Sequence, residues 1–175
     1  MTTADLFDRA LLTQRRARAT HSGMFLQTLA RDEILERLES VNRTFTSVAV
    51  VTGFPAVWAD TLPNTVVVAD GTTLNLEPQK HDLVIHAMGL HVANDPVGQL
   101  IQCRNALVPD GLFMGSCFGG QTLVELRAAL ATAEVALTGG LSPRVSPMAE
   151  IRDLGALLQR AMLAMPVTDT LMIPV

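Results

Sequence analysis

Four short runs of β-branched and aliphatic residues, each closed by a turn, constrain this chain more than any other feature. They are Ser47-Val48-Ala49-Val50-Val51, ending at Thr52-Gly53; Thr65-Val66-Val67-Val68-Ala69, ending at Asp70-Gly71; Asp82-Leu83-Val84-Ile85-His86-Ala87; and Gly111-Leu112-Phe113-Met114-Gly115-Ser116. The runs are largely unbroken apolar stretches, as expected of strands buried on both faces. Helical periodicity fills the spaces around the later runs, at 94–107, 121–136 and 147–163. Strands alternating with helices predict an α/β fold, with a mostly parallel sheet between helical layers. Leu171-Met172-Ile173-Pro174 reads as a short last strand.

Ahead of the first run, residues 4–19 read as an amphipathic helix. Leu6, Ala10, Leu11 and Ala17 mark its apolar side, and Asp8, Arg15, Arg16 and Arg18 its polar side. A second helix over 23–39 carries Phe25, Leu29, Leu35 and Leu38 on its apolar face. The expected organisation is an N-terminal helical segment, 1–40, packed on an α/β domain, 41–175. The arginine cluster is either a solvated face or a surface for an anionic substrate or partner.

With 175 residues, 49% of them hydrophobic and 17% charged, the chain can bury one sizeable core. A net charge of −4, with no basic stripe beyond Arg15, Arg16 and Arg18, argues against nucleic acid as the main partner. The longest apolar runs are of strand length, whereas a membrane span needs about 20 residues. The N-terminus carries acids and no apolar signal region. Cys103 and Cys117 fit no metal-ligand spacing and read as buried thiols in a reducing compartment, so a cytoplasmic location is expected.

In a parallel α/β sheet, ligands bind beyond the carboxyl ends of the strands. The residues there are Thr52-Gly53-Phe54-Pro55, Asp70-Gly71-Thr72, His86 through His91, and Cys117-Phe118-Gly119-Gly120. Asp70 could accept a hydrogen bond from an adenine amino group or a ribose hydroxyl; the plainer alternative is a turn aspartate before glycine. His86 and His91 could act as bases, or as hydrogen-bonded structural groups, with Asp95 the nearest acid for a metal set. No metal is expected. Gly119-Gly120-Gln121-Thr122 would let a backbone approach a ligand at a helix start, a use shared with ordinary strand-to-helix turns. Glu125 and Arg127 fall on the first turns of that helix, and Arg144 in the Ser142-Pro143-Arg144 loop could grip a carboxylate. No Ser/His/Asp order, P-loop or GxGxxG supports hydrolase, kinase or dehydrogenase chemistry.

Three segments carry a family resemblance: VVVADGTTLNLEPQKHDLVIHAMGLHVANDP, ALVPDGLFMGSCFGGQTLVELRAAL and GGLSPRVSPMAEIRDLGALLQRA. With the opening LFDRALLTQRRARA, the chain resembles the class I S-adenosylmethionine (SAM) methyltransferase-like proteins related to the mitochondrial respiratory complex I assembly factor. A more distant likeness is to the malonyl-carrier-protein O-methyltransferases. The resemblance implies a three-layer Rossmann-like fold and SAM as cofactor. It places Asp70 on adenine with Gly71 beside it, Thr52 and Gly53 in the first loop, and Ala87, Met88 and Leu90 along the cofactor's far side. His91 matches the histidine of the family's LHW segment. With Thr122, Glu125, Arg127 and Arg144, it is expected to contact substrate or a protein partner. The implied functions are a SAM-dependent methyltransferase, a non-catalytic binding or assembly factor, or an assembly-factor enzyme acting on a protein side chain.

The chain also departs from that pattern. The stretch VVTGFPAVWAD has one glycine where the family has a glycine-rich loop. Phe54 would crowd the methionine part of SAM, and Pro55 removes a backbone donor. About a dozen residues separate the first strand from Thr65, too few for the usual helix, strand and second helix. The strand whose acid holds the ribose hydroxyls is therefore expected to be missing, as is the C-terminal strand pair. At roughly 1.5–3 kcal/mol per charge-assisted hydrogen bond, SAM affinity should fall by orders of magnitude. Val92 replaces the family's tryptophan after His91. An open sheet edge would invite a homodimer.

Overall fold

The computed structural model describes residues 5–146 and 148–174. Among these residues, four strands form one all-parallel sheet: β1 (Val48–Thr52), β2 (Thr65–Ala69), β3 (His81–Ala87) and β4 (Leu107–Ser116), in the order β2-β1-β3-β4. Six α-helices accompany them: α1 (Arg9–Arg16), α2 (Phe25–Glu39), α3 (Pro55–Trp58), α4 (Pro96–Ala106), α5 (Val124–Thr138) and α6 (Ile151–Arg160). Short 3₁₀ turns cover His21–Met24 and Leu90–Val92.

The expected burial on both faces holds for the two central strands, β1 and β3, but not for β2 and β4, which lie at the sheet edges and are mostly half-buried or exposed. Every residue of β1 is buried, and alternate side chains feed two separate cores. On one face, Val48, Val50, Leu83 and Ile85 pack with Ile34 and Leu38 of α2 and with Val57 and Trp58 of α3. On the other, Ala49, Val51, Val68 and Val84 pack with Cys103 and Ala106 of α4 and with Leu74. Helix α6 packs outside α4. The fold is thus the expected three-layer α/β arrangement. Fully burying a valine of β1 is worth about 1.5–3 kcal/mol, so the central strand anchors both cores.

The link from β1 to β2 is as short as its length requires. It holds a single helical turn, opened by Pro55 at the first helical position, and no intervening strand. Thr65–Ala69 therefore pairs directly with β1, from Val48↔Thr65 to Thr52↔Ala69.

Several expectations need correction. The strand read from Gly111 begins four residues earlier, at Leu107, because Pro109-Asp110-Gly111 sits in an irregular stretch: His81 pairs with Leu107 but Leu83 with Leu112. Leu171–Pro174 forms no strand; Leu171 and Met172 are exposed and pair with no sheet neighbour. Residue 4 of the first expected helix and residue 147 of the last lie outside the described residues.

The largest correction concerns α1. Its expected apolar side faces outward, with Leu6 66% and Leu11 43% exposed. Arg9, Leu12 and Arg16 face inward instead, spaced one and two turns apart on one side of the helix. The inward contacts are ionic, so apolar periodicity reads the helix back to front. Asp8 caps it, its carboxylate accepting from the Leu11 N–H at 2.9 Å.

Candidate functional site

Three strand tips meet at the carboxyl edge of the sheet. Thr52 is in register with Ala69 on one side and Ala87 on the other, so Gly53, Asp70 and Met88 follow in adjacent strands. Asp70 is only 3% exposed. A buried carboxylate needs partners, and α1 supplies them. Arg16 grips it with two prongs, Nη1 to Oδ1 at 2.7 Å and Nη2 to Oδ2 at 2.8 Å. Arg9 adds Nη2 to Oδ1 at 3.0 Å and also donates to the Asp70 carbonyl at 2.5 Å. A reciprocal pair secures the approach to the helix: the Phe7 N–H donates to Asn94 Oδ1 at 2.8 Å, and Asn94 Nδ2 donates back to the Phe7 carbonyl at 3.0 Å. The arginine cluster is therefore not a uniform solvated face, since Arg16 is only 13% exposed.

The Arg16 guanidinium takes the space that Gly53 leaves open. A Cβ placed on Gly53 would lie 2.2 Å from Arg16 Cζ. The guanidinium also lies over the Phe54 ring, 5.4 Å from its centroid. Phe54, expected to crowd the methionine part of SAM, is instead the platform for an arginine of the same chain. Burial alone would raise the Asp70 pKa; the Arg16 and Arg9 guanidiniums together outweigh it and hold the carboxyl below its usual range.

Gln99 locks the turn after β2. Its Nε2 donates to the carbonyls of Asp70 at 3.1 Å and Gly71 at 2.6 Å, which leaves Oε1 to accept from His86 Nε2 at 2.9 Å. His86 therefore carries its proton on Nε2, and Nδ1 is a buried acceptor without a partner among the described residues. Burial lowers the His86 pKa. This histidine holds the Asp70-Gly71 turn in place and is not a free base.

His91 sits at the crevice rim, its ring 4.8 Å from that of Phe118 and its Nδ1 accepting from the Phe118 N–H at 3.4 Å. Burial, followed by the positive charge of Arg16, brings its pKa down from 6.5 to about 4. Between those values the unfolded chain binds more protons than the folded one, so stability should fall as the pH drops from 6.5 to about 4 and lose no more to this group below that. The loss is on the order of 3 kcal/mol. Urea unfolding at a series of pH values should show the slope, and a His91→Gln variant should flatten it.

The remaining expected site residues divide into two groups. Thr52 is buried, and its hydroxyl accepts from the Phe54 N–H at 3.1 Å, shaping the turn. Ala87 is part of the core, and Leu90 opens the 3₁₀ turn beside Gly89. Met88 adopts a left-handed backbone with φ 50° and donates its N–H to the Ser116 carbonyl at 2.8 Å. These residues lie around the strand tips. Those after β4 serve local structure. Thr122 Oγ1 donates to the Gly119 carbonyl at 2.7 Å, and Arg144 pairs with Glu134 of α5 at 2.6 Å. Glu125 is exposed on α5, where Arg127 is half-buried. The glycine pair admits the chain's own backbone: the Gly120 N–H donates to the Ala149 carbonyl at 2.9 Å, and a Cβ on Gly119 would lie 2.9 Å from that oxygen. Sequence reasoning misses Arg9, Asn94 and Gln99, whose partners Asp70, Phe7 and Asp70 lie 61, 87 and 29 positions away and leave no local signal.

Comparison with known proteins bears on this arrangement. No family model matches the chain. It is 44% identical over 100 residues to the mitochondrial arginine-hydroxylase NDUFAF5 of Homo sapiens, a match covering 57% of this chain and 29% of that protein. It is 31% identical over 107 residues to the malonyl-[acyl-carrier protein] O-methyltransferase of Xylella fastidiosa, covering 61% of this chain and 34% of that one. The match thus spans about a third or less of the length of these relatives. A SAM-dependent methyltransferase of Thermotoga maritima superposes with a TM-score of 0.53 at 12% identity, over 81% of this chain and 75% of that structure. The chain has a methyltransferase fold. The resemblance read from its sequence, to the assembly-factor group and more distantly to the carrier-protein methyltransferases, is borne out. Among the described residues no helix is long and apolar enough to cross a membrane.

Proposed function

We propose that this chain is a methyltransferase-type domain that takes SAM at the tips of β1, β2 and β3 and acts with or upon a protein partner in the cytoplasm. The observation that carries this reading is the junction of Gly53, Asp70 and Met88 at the carboxyl edge of a parallel sheet. The donor set suits an adenosine. With no intervening strand, β2 lies directly beside β1, so its terminal acid, expected on adenine, stands at the neighbouring position at which dinucleotide-binding sheets hold ribose hydroxyls. Asp70 is the carboxylate there. Gly53 has no side chain where the aminoacyl end would pass, and Met88 and Leu90 would form the far wall. When bound, SAM would supply an activated methyl group. The fit holds once the Arg16 side chain is out of the space over Gly53.

The likeness to an arginine-hydroxylase and to the assembly-factor group supports a protein as substrate or partner. A non-catalytic binding or assembly role is favoured by one further observation: His86 is fully enclosed and engaged by Gln99, burial makes His91 a weak proton acceptor, and Asp70 is spent on arginines. The crevice thus offers no poised base for an acceptor that must lose a proton.

Calorimetric titration of the full chain with SAM tests the reading. Saturable heat is expected at about 0.1–1 mM ligand. In the ¹⁵N-labelled protein, the amide signals of Gly53, Gly71 and Met88 should move with the same dependence. Silence at about 10 mM would remove SAM and leave the binding role. Signal changes confined to other residues would remove the site assignment.

A further inference from the structure

We propose that α1 is a built-in lid: it occupies the SAM crevice with its own arginines and must leave before SAM can bind. This rests on the SAM reading above and adds regulation of the same site.

Three observations carry it. First, the lid and the ligand compete for the same atoms. Arg16 fills the volume over Gly53, and both oxygens of Asp70 accept from arginine N–H groups of α1. Ribose hydroxyls or an adenine amino group could donate to the same oxygens only in place of the guanidiniums.

Second, α1 is held almost entirely by polar contacts. None of its residues is buried; Leu11 and the preceding Leu6 face solvent, and Leu12 is half-buried. Among the described residues its polar attachments are the Phe7–Asn94 exchange and the bonds from Arg9 and Arg16 to the Asp70 turn, with one from Arg9 to the Val92 carbonyl at 3.3 Å, beside the stacking of Arg16 on Phe54 and the half-buried Leu12. Lifting it exposes little apolar surface, so the hydrophobic effect does little to keep it down.

Third, the chain has a place to bend. Residues 17–20 contain no regular structure, and the next long element, α2, is fixed in the core by Ile34 and Leu38. α1 can therefore swing without disturbing the sheet.

A closed lid lowers apparent affinity by the fraction of molecules that are open. With about 1–10% open, SAM would bind about 10–100-fold more weakly than the exposed crevice allows. The test uses the full chain. SAM titration of an Arg9→Ala/Arg16→Ala variant should show binding at least about ten-fold tighter than wild type. In the wild type, saturating SAM should speed hydrogen exchange of the α1 amides about ten-fold while the β1 amides stay protected. The exchange measurement needs no variant and decides the matter if the double substitution fails to fold. Equal affinities, or α1 protection unchanged in the SAM-saturated wild type, would overturn the lid and leave the SAM site standing. Absence of SAM binding in both forms would overturn both.

Discussion

Replacing Asp70 by alanine is expected to lower the free energy of unfolding by about 3 kcal/mol, the low end for breaking a buried pair by removing one partner. The substitution strands two guanidiniums, one 13% and one 25% exposed, against a crevice with nothing else to neutralise them. Both can relieve themselves by swinging α1 into water, which is why the loss should not reach the upper end. Asp70→Asn keeps the shape and one acceptor and should lose about half as much. Urea unfolding at pH 7 measures the difference. The sign with pH follows from the direction of the shift. Asp70 has its carboxyl pKa lowered from 3.8, so its contribution is fully present above that value and disappears as the pH falls through the lowered one. Wild type and Asp70→Ala should therefore converge only in strong acid. Equal stabilities at pH 7 would mean that the two arginines gain nothing by docking.

Trp58→Ala should cost more, about 3–5 kcal/mol. Trp58 is the chain's single tryptophan and is 1% exposed. It belongs to a four-residue helix, far below the length at which helical hydrogen bonding sustains itself. Burial of Val57 and Trp58 against Ile34, Leu38, Val48 and Val50 is what holds that turn. Truncating the indole leaves a large cavity beside β1 and frees the turn that carries Phe54, on whose ring Arg16 rests. The unfolding midpoint followed by circular dichroism should fall accordingly, and Trp58→Phe should recover most of it. A loss under about 1 kcal/mol would show that the site collapses without strain.

The parts of the fold that were legible in the sequence are those held by apolar burial. β1 and β3 announce themselves because central parallel strands are apolar on both faces; β2, an edge strand with Val66 exposed, is legible from its β-branched run instead. The short β1-to-β2 link follows from chain length alone. Helix ends are less legible because caps decide them: Asp8, Asp95, and the Glu150–Asp153 box trim the helices inside their periodic stretches. Asp70 stands out as a carboxylate at a strand tip, but its partners do not. The bonds from Arg9 and Arg16 cross 61 and 54 positions of sequence, and a local period counts those residues as solvent-facing. The same limit hides Gln99, whose amide ties β2's turn to His86. Apolar patterning reports what the hydrophobic effect organises, whereas this crevice is organised by charge.

Helix α5 presents the opposite case. Its fifteen residues include none that is buried, while Leu126, Val135 and Leu137 stand in water. A segment of that length with no buried face depends on intrinsic propensity, which here comes mainly from its alanines and leucines and is marginal on its own. It therefore opens by local fraying at little energetic cost, while the sheet opens only when the whole domain does. A protease meeting the native chain would find a foothold in that helix.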